Sequence, residues 1–380
     1  MEILIALVMV GAAVGVLVAA RRADRDEVFA GLTPGLLPAP GQEVERRPLE
    51  GAGPPVAVRF EPPAGLRPAE AGVVVDSRYD PVELSATLID LATRGWLVLH
   101  PVPGAATPAG PTPPSDWELH RVEPAPDEPL GATERAVLDA VFADGPRTTL
   151  ARVRADHRLG AAMAVLEADV ERRGWFRERG WPAMVRPAGA VVVLLGGWLW
   201  VTGGPVAGLA TVAAGALLLF APRRQGRPLT AEGSAARTQA LGFRQYLATA
   251  EADQLRFEAG IDRFSRYLPW AMVFGVVDHW RQVFADALRA DPDALAGLPA
   301  FGWLAVDDVL TTVLLLDLLD GGLFDSLAGD FGGLDGFDGA ALDAADASVA
   351  DGGDGSGWGG FDGWGDGGGF GDGGGFDFGD

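Results

Sequence analysis

Two stretches of the chain are apolar with no amphipathic period. Ile3 to Ala20 is an unbroken run of 18 apolar residues, which as a helix at about 1.5 Å per residue covers about 27 Å, close to the hydrocarbon thickness of a bilayer. Met184 to Pro222, with Arg186 at its head, is broken once by Thr202, Gly203, Gly204 and Pro205. That turn signal is strong enough to end a helix, so the stretch reads as two short spans forming a hairpin.

The charged flanks orient these segments. Arg21, Arg22 and Arg25 follow the first run, and Arg223, Arg224 and Arg227 follow the second. Positive charge collects on the cytoplasmic side, so the N-terminus is expected outside and both ends of the hairpin inside. Trp181 falls at the inner interface and Trp198 and Trp200 at the outer turn, where amphipathic rings favour the headgroup layer. A cleaved signal peptide competes for the first run, but no basic region precedes it and no small-x-small cleavage site is clear. A buried core helix competes for the second, against a long run free of acidic residues. Gly11 and Gly15, and again Gly204 and Gly208, have the spacing that lets helices approach closely. Packing within the chain is its first use, and a homo-oligomer through Gly11 and Gly15 is the second.

Between the greasy segments the periods change. Residues 23–54 are rich in Pro, Gly and charge and show no period, as a juxtamembrane linker would. Asp80-Pro81-Val82-Glu83 is a helix start, with Leu84, Leu88 and Leu91 on one face and Arg94-Gly95 as the stop. Trp96 to Leu99 and Trp117 to Val122 read as a strand pair around the Pro-rich loop from Pro101 to Pro114. Glu134 to Phe142 is helical and broken by Gly145-Pro146. Leu159, Met163, Leu166 and Val170 stripe a later helix that Gly174 stops, and Trp175-Phe176 is extended. Helices followed by a hairpin suggest one or two winged-helix-like units over 55–183.

Beyond the hairpin, 223–320 is expected to be a helical cytoplasmic region. Ala240, Phe243, Leu247 and Ala250 mark one face, and Val276, Trp280, Phe284 and Leu288 another. Val309 to Leu316 is apolar but too short and too acid-flanked to span. The expected fold class is therefore mainly α with small β-hairpins: a multi-pass membrane protein with three transmembrane helices. Its parts are an anchor at 1–22, a linker at 23–54, a winged-helix-like domain at 55–183, a transmembrane hairpin at 184–222, the helical region, and a disordered Gly-rich tail at 321–380.

Composition sharpens this division. The net charge is −22, and 13 Asp with no Arg fall within residues 321–380. The last thirty residues are 16 Gly, 7 Asp, 6 aromatics and one Ser, which cannot form a packed core. Calcium repeats and EF-hand spacing both fail there, leaving diffuse cation binding, weak self-association or a protein partner as uses of the tail.

Several chemistries are excluded or disfavoured. The chain has no Cys, and all 30 basic residues are Arg, which removes thiol nucleophiles, thiolate metal sites and every lysine-dependent site. His100, His120, His157 and His279 show no metal spacing, and Asp278-His279 is an adjacent acid and imidazole. Residues 55–185 carry 14 Arg against 19 acids, the wrong balance for a phosphate-binding surface. The cluster Arg172, Arg173, Arg177 and Arg179 is assigned to lipid headgroups or to topology rather than to nucleic acid. No catalytic, cofactor-binding or metal residues are assigned. Asp76, Asp80, Glu251 and Asp253 are the carboxylates an enzyme would need, and capping and solvation explain them as well.

Residues 54–99, 230–257 and 264–280 resemble the bacterial predicted membrane protein family called domain of unknown function 2207. Arg67 to Gly72, Leu88 to Leu99, Gly242 to Leu247 and Tyr267 to Ala271 are the most specific pieces. The resemblance covers about residues 55–290 and extends to the Gly-rich tail. It implies a cytoplasmic domain, a hydrophobic hairpin and a tail, and also an exoplasmic β-rich domain before the first span. Only Met1 and Glu2 precede that span, so the exoplasmic domain is expected to be lacking, either by genuine loss or because translation starts further upstream. The family supplies no catalytic residues. Together these readings predict a non-enzymatic, membrane-anchored interaction or scaffold protein. The alternatives are a regulator binding nucleic acid through a winged helix and, less favoured, a carboxylate enzyme.

Overall fold

The computed structural model describes residues 2–50, 53, 56–102, 116–123, 128–156, 158–178, 180–202, 205–220, 226–249, 261–277, 279, 280 and 283. The apolar runs become helices. α1 spans Glu2–Ala23 with Arg21 and Arg22 in its last turn, where they complement the helix dipole. A 3-10 turn at Trp181–Met184 leads into α7, Val185–Val201, and α8 follows at Pro205–Leu219. Among the described residues one helix, Trp181–Val201, is long and apolar enough to cross a membrane, and Pro205–Leu219 is apolar but shorter.

Glycine brings α7 and α8 together. Gly189 and Gly196 on α7 face Gly215 and Gly208 on α8, each pair seven residues apart. A Cβ at Gly189 would lie 2.6 Å from the Leu219 amide nitrogen, and one at Gly196 would lie 2.6 Å from that of Val212. Only hydrogen fits, so the two backbones pack directly. Gly208 is used as its spacing suggested, against Trp200; Gly204 lies outside the described residues. Gly11 and Gly15 make no such contact among the described residues. Neither has an atom within 4 Å of where its Cβ would stand, and α1 instead packs through Ala13 and Ala20 with Val185, Ala214 and Leu218.

Residues 23–54, read as a juxtamembrane linker without a period, contain an antiparallel pair: β1, Glu27–Phe29, and β2, Arg46–Pro48. Strands of three residues carry too few side chains to show a period.

The domain itself orders α2 (Pro68–Asp76), α3 (Pro81–Thr93), β3 (Leu97–Val102), β4 (Asp116–Arg121), α4 (Ala132–Val141), β5 (Arg147–Thr149), α5 (Leu150–Ala155) and α6 (Gly160–Arg173). α9 (Ala231–Thr249) and α10 (Ile261–Val273) come after the hairpin. The three strands form one antiparallel sheet in the order β3-β4-β5. The predicted helix faces are buried: Leu84, Leu88, Leu91, Leu159, Leu166 and Val170 in the first half, and Ala240, Phe243, Leu247 and Trp280 in the second. All belong to one continuous hydrophobic core. Phe243 is its aromatic centre, edge-on to Tyr267 at 5.0 Å and to Trp270 at 5.5 Å. Ala250, Phe284, Leu288, the segment 309–316 and the tail lie outside the described residues.

Three chain passages between the apolar helices and the domain are tied into one backbone array. The Glu27 N–H donates to the Leu229 carbonyl at 3.0 Å, the Arg177 N–H to Pro228 at 2.8 Å, and the Thr230 N–H to Trp175 at 2.9 Å. Phe176 and Leu229 bridge antiparallel. Asp26 closes the array: its Oδ1 accepts from the Leu229 N–H at 2.6 Å, and its carbonyl accepts from Leu49 at 2.7 Å.

Candidate functional site

Three helices of the domain begin alike. In α2, α3 and α4 the third residue is a glutamate whose carboxylate turns back to accept the N–H of the residue before the helix. Glu70 accepts from Arg67 at 3.0 Å, Glu83 from Asp80 at 2.8 Å and Glu134 from Gly131 at 2.7 Å. Each thus satisfies one of the donors that a helix start leaves open. All three are buried, with 8%, 1% and 3% of their surface exposed. A buried carboxylate normally has a cation beside it.

Two of the three do. Arg173 binds both oxygens of Glu70 at 2.7 Å while its guanidinium lies over the Trp175 ring. Glu134 takes Arg94 at 2.6 Å and Arg67 at 3.0 Å. Arg94 also reaches Asp90 at 2.7 Å and Glu128 at 3.1 Å, so this network ties α3 to the start of α4. Burial nevertheless raises the Asp90 carboxyl above its usual range. Asp169 of α6 joins the network by accepting from the Thr133 hydroxyl at 2.6 Å.

Glu83 is the exception, because its neighbours are acids. Burial pushes its pKa well above the ordinary range, and the nearby Asp76 raises it further. Asp76 itself is pushed up to about 7, chiefly by burial and further by Asp80. Tyr79 is pushed up to about 12 by burial and by Glu171. Room for the Glu83 carboxyl comes from Gly72, where a Cβ would lie 2.9 Å from its Oε1. The connecting turn holds Ser77 at φ 62°, the one described non-glycine residue in the left-handed region. Gly226, just after the apolar hairpin, packs so closely there that a Cβ would lie 2.9 Å from the Ser77 hydroxyl. The acidic corner therefore abuts the chain emerging from α8.

The structure places the sequence candidates as follows. Asp76 and Asp80 meet in this corner together with Glu83, which the sequence suggested only as a cap. Glu251, Asp253, Asp278 and His157 lie outside the described residues. His100 and His120, which sequence spacing left unrelated, lie with ring centroids 4.1 Å apart and planes tilted by 38°. The β3–β4 register sets His100 opposite Glu118 and His120 opposite Val98, a diagonal pair on one sheet face. Glu118 reaches His120 at 3.0 Å, and burial followed by the neighbouring His120 lowers the pKa of His100. Among the described residues no group of three or more His, Asp or Glu could hold a metal ion.

The basic cluster is paired within the chain. Arg173 and Arg172 are paired with Glu70 and Asp169, and Arg177 reaches Glu27 at 3.4 Å and the Arg25 carbonyl at 3.2 Å. These contacts tie α6 and the segment after it to their neighbours, while the Arg172 side chain stays 67% exposed. Arg179 lies outside the described residues.

Apolar helices joined through a stitched junction to a mainly helical domain define a membrane-associated protein whose polar interior is built for cohesion. The chain belongs to the family described as predicted membrane protein (DUF2207), whose C-terminal domain model matches residues 57–284. No curated protein and no solved structure gives a match.

Proposed function

We propose that this chain is a non-enzymatic, membrane-tethered interaction protein. Its N-terminus lies outside, α1, α7 and α8 cross the bilayer, and the domain is held against the cytoplasmic face. The junction array carries this reading. The chain leaving α1, the chain entering α7 and the chain leaving α8 share one set of backbone hydrogen bonds, so all three helix ends share one side. The internal pairing of the domain arginines argues for presentation of a surface and against phosphate binding. The order α2-α3-β3-β4 supports a winged-helix-like ancestry for the domain without a nucleic-acid role.

The test is cross-linked capture from membranes by the full chain and by a chain lacking residues 321–380. Partners retained by the full chain and lost on truncation are the expected result; identical, empty captures would overturn the reading. A tag inserted between Trp200 and Val206 is expected to be labelled only from outside the cell.

A further inference from the structure

A cavity of about 250 Å³ lies beside the junction, between the β1–β2 pair, the turn at residues 33–37 and α9. At about 30 Å³ per water, that is room for roughly eight waters. It fits a small acidic head and the first carbons of a chain, and it is too small for a two-chain lipid. The walls are amphipathic. Phe29, Leu36 and Leu241 supply apolar surface, while Arg47 and Arg237 supply two cations. The one acid among the lining residues, Asp26, has its Oδ1 committed to the Leu229 amide.

Two features go beyond shape. Ser234 lines the cavity, and its hydroxyl is buried with no hydrogen-bond partner among the described residues. Arg47 makes no ion pair among the described residues, whereas its neighbour Arg46 pairs with Glu232 at 2.6 Å. The rim is also preformed. The Gln239 side-chain amide donates to the Gly35 carbonyl at 2.5 Å, and Gly35 at φ 82° turns the chain. Leu36 and Leu37 are left exposed there, thirteen residues beyond the end of α1 at Ala23.

From these observations we infer that the cleft binds the acidic head of a single-chain anionic amphiphile, a fatty acid or a lysophosphatidate, drawn from the adjacent leaflet. The two arginines take the head, and the chain leaves past Leu36. This inference rests on the bilayer association of the family and is independent of the interaction role proposed above.

The experiment titrates the full chain in neutral-detergent micelles with a dansyl-labelled undecanoic acid. Saturable binding is expected, displaced by oleate and by lysophosphatidate but not by lysophosphatidylcholine. Arg47→Ala should weaken it about tenfold, as loss of a charge-assisted contact does, and Ser234→Trp, which fills the cavity, should abolish it. Arg47 is exposed, so its variant decides the question if Ser234→Trp fails to fold. Displacement by inorganic phosphate alone, or binding unchanged in Arg47→Ala, would overturn the inference.

Discussion

At the scale of single residues, the same side chain at the same helical position has opposite energetic meaning in different helices. Glu134 sits between Arg94 and Arg67, so Glu134→Gln keeps the cap on Gly131 but leaves buried guanidinium charge less well matched. The expected loss is about 1–3 kcal/mol, read as a lower thermal midpoint in detergent. Glu83 has acids where Glu134 has cations, so Glu83→Gln should raise the midpoint at pH 7.5. The pH dependence has a definite sign. Asp76 and Glu83 hold protons in the folded state that the unfolded chain releases, and stability therefore falls as pH rises. For Asp76 the window runs from about its ordinary value of 3.8 to about 7. Unfolding followed across that range should slope down for the parent chain and less steeply for Asp76→Asn; parallel slopes would remove Asp76 from the account.

At the scale of elements, what could be read from the chain depended on how local the signal was. α3 announces itself through Asp80, Pro81 and Glu83, and its leucine face is buried as its period requires. α2 was invisible although it starts with the same device at Arg67, Pro68 and Glu70, because eight of its nine residues are buried and no polar face marks a period. The histidine pair depends on strand register across a long loop, which spacing along the chain does not encode. Glycine was legible only in part. The GxxxG spacing drew attention to Gly11 and Gly15, while the intimate contacts are made by Gly189, Gly196, Gly208 and Gly215 at seven-residue spacing. Gly196→Leu should force α7 and α8 apart and sharply reduce the yield of folded protein in detergent, whereas Gly11→Leu should leave the thermal midpoint of the monomer unchanged. If the Gly11 variant alone alters cross-linking between copies, α1 also serves self-association.

At the scale of the whole molecule, the junction decides whether bilayer and domain behave as one body. Side-chain pairing there is between partly exposed groups, Arg177 with Glu27 at 3.4 Å and Arg227 with Glu171, and exposed pairs contribute little. The backbone bonds around Leu229 are continuous and Asp26, 7% exposed, terminates them. Removing its carboxylate strands the Leu229 amide in a buried site, at a cost of about 1–3 kcal/mol, while an amide oxygen in the same place still accepts that hydrogen bond. Asp26→Ala should therefore lower the thermal midpoint and speed hydrogen exchange at Leu229 and Glu27, and Asp26→Asn should do neither to a comparable degree. Equal loss in both variants would mean that charge rather than the hydrogen bond holds the junction. Faster exchange confined to residues 226–230, with the Phe243 core still protected, would show that the domain keeps its fold when its hold on the apolar helices is loosened.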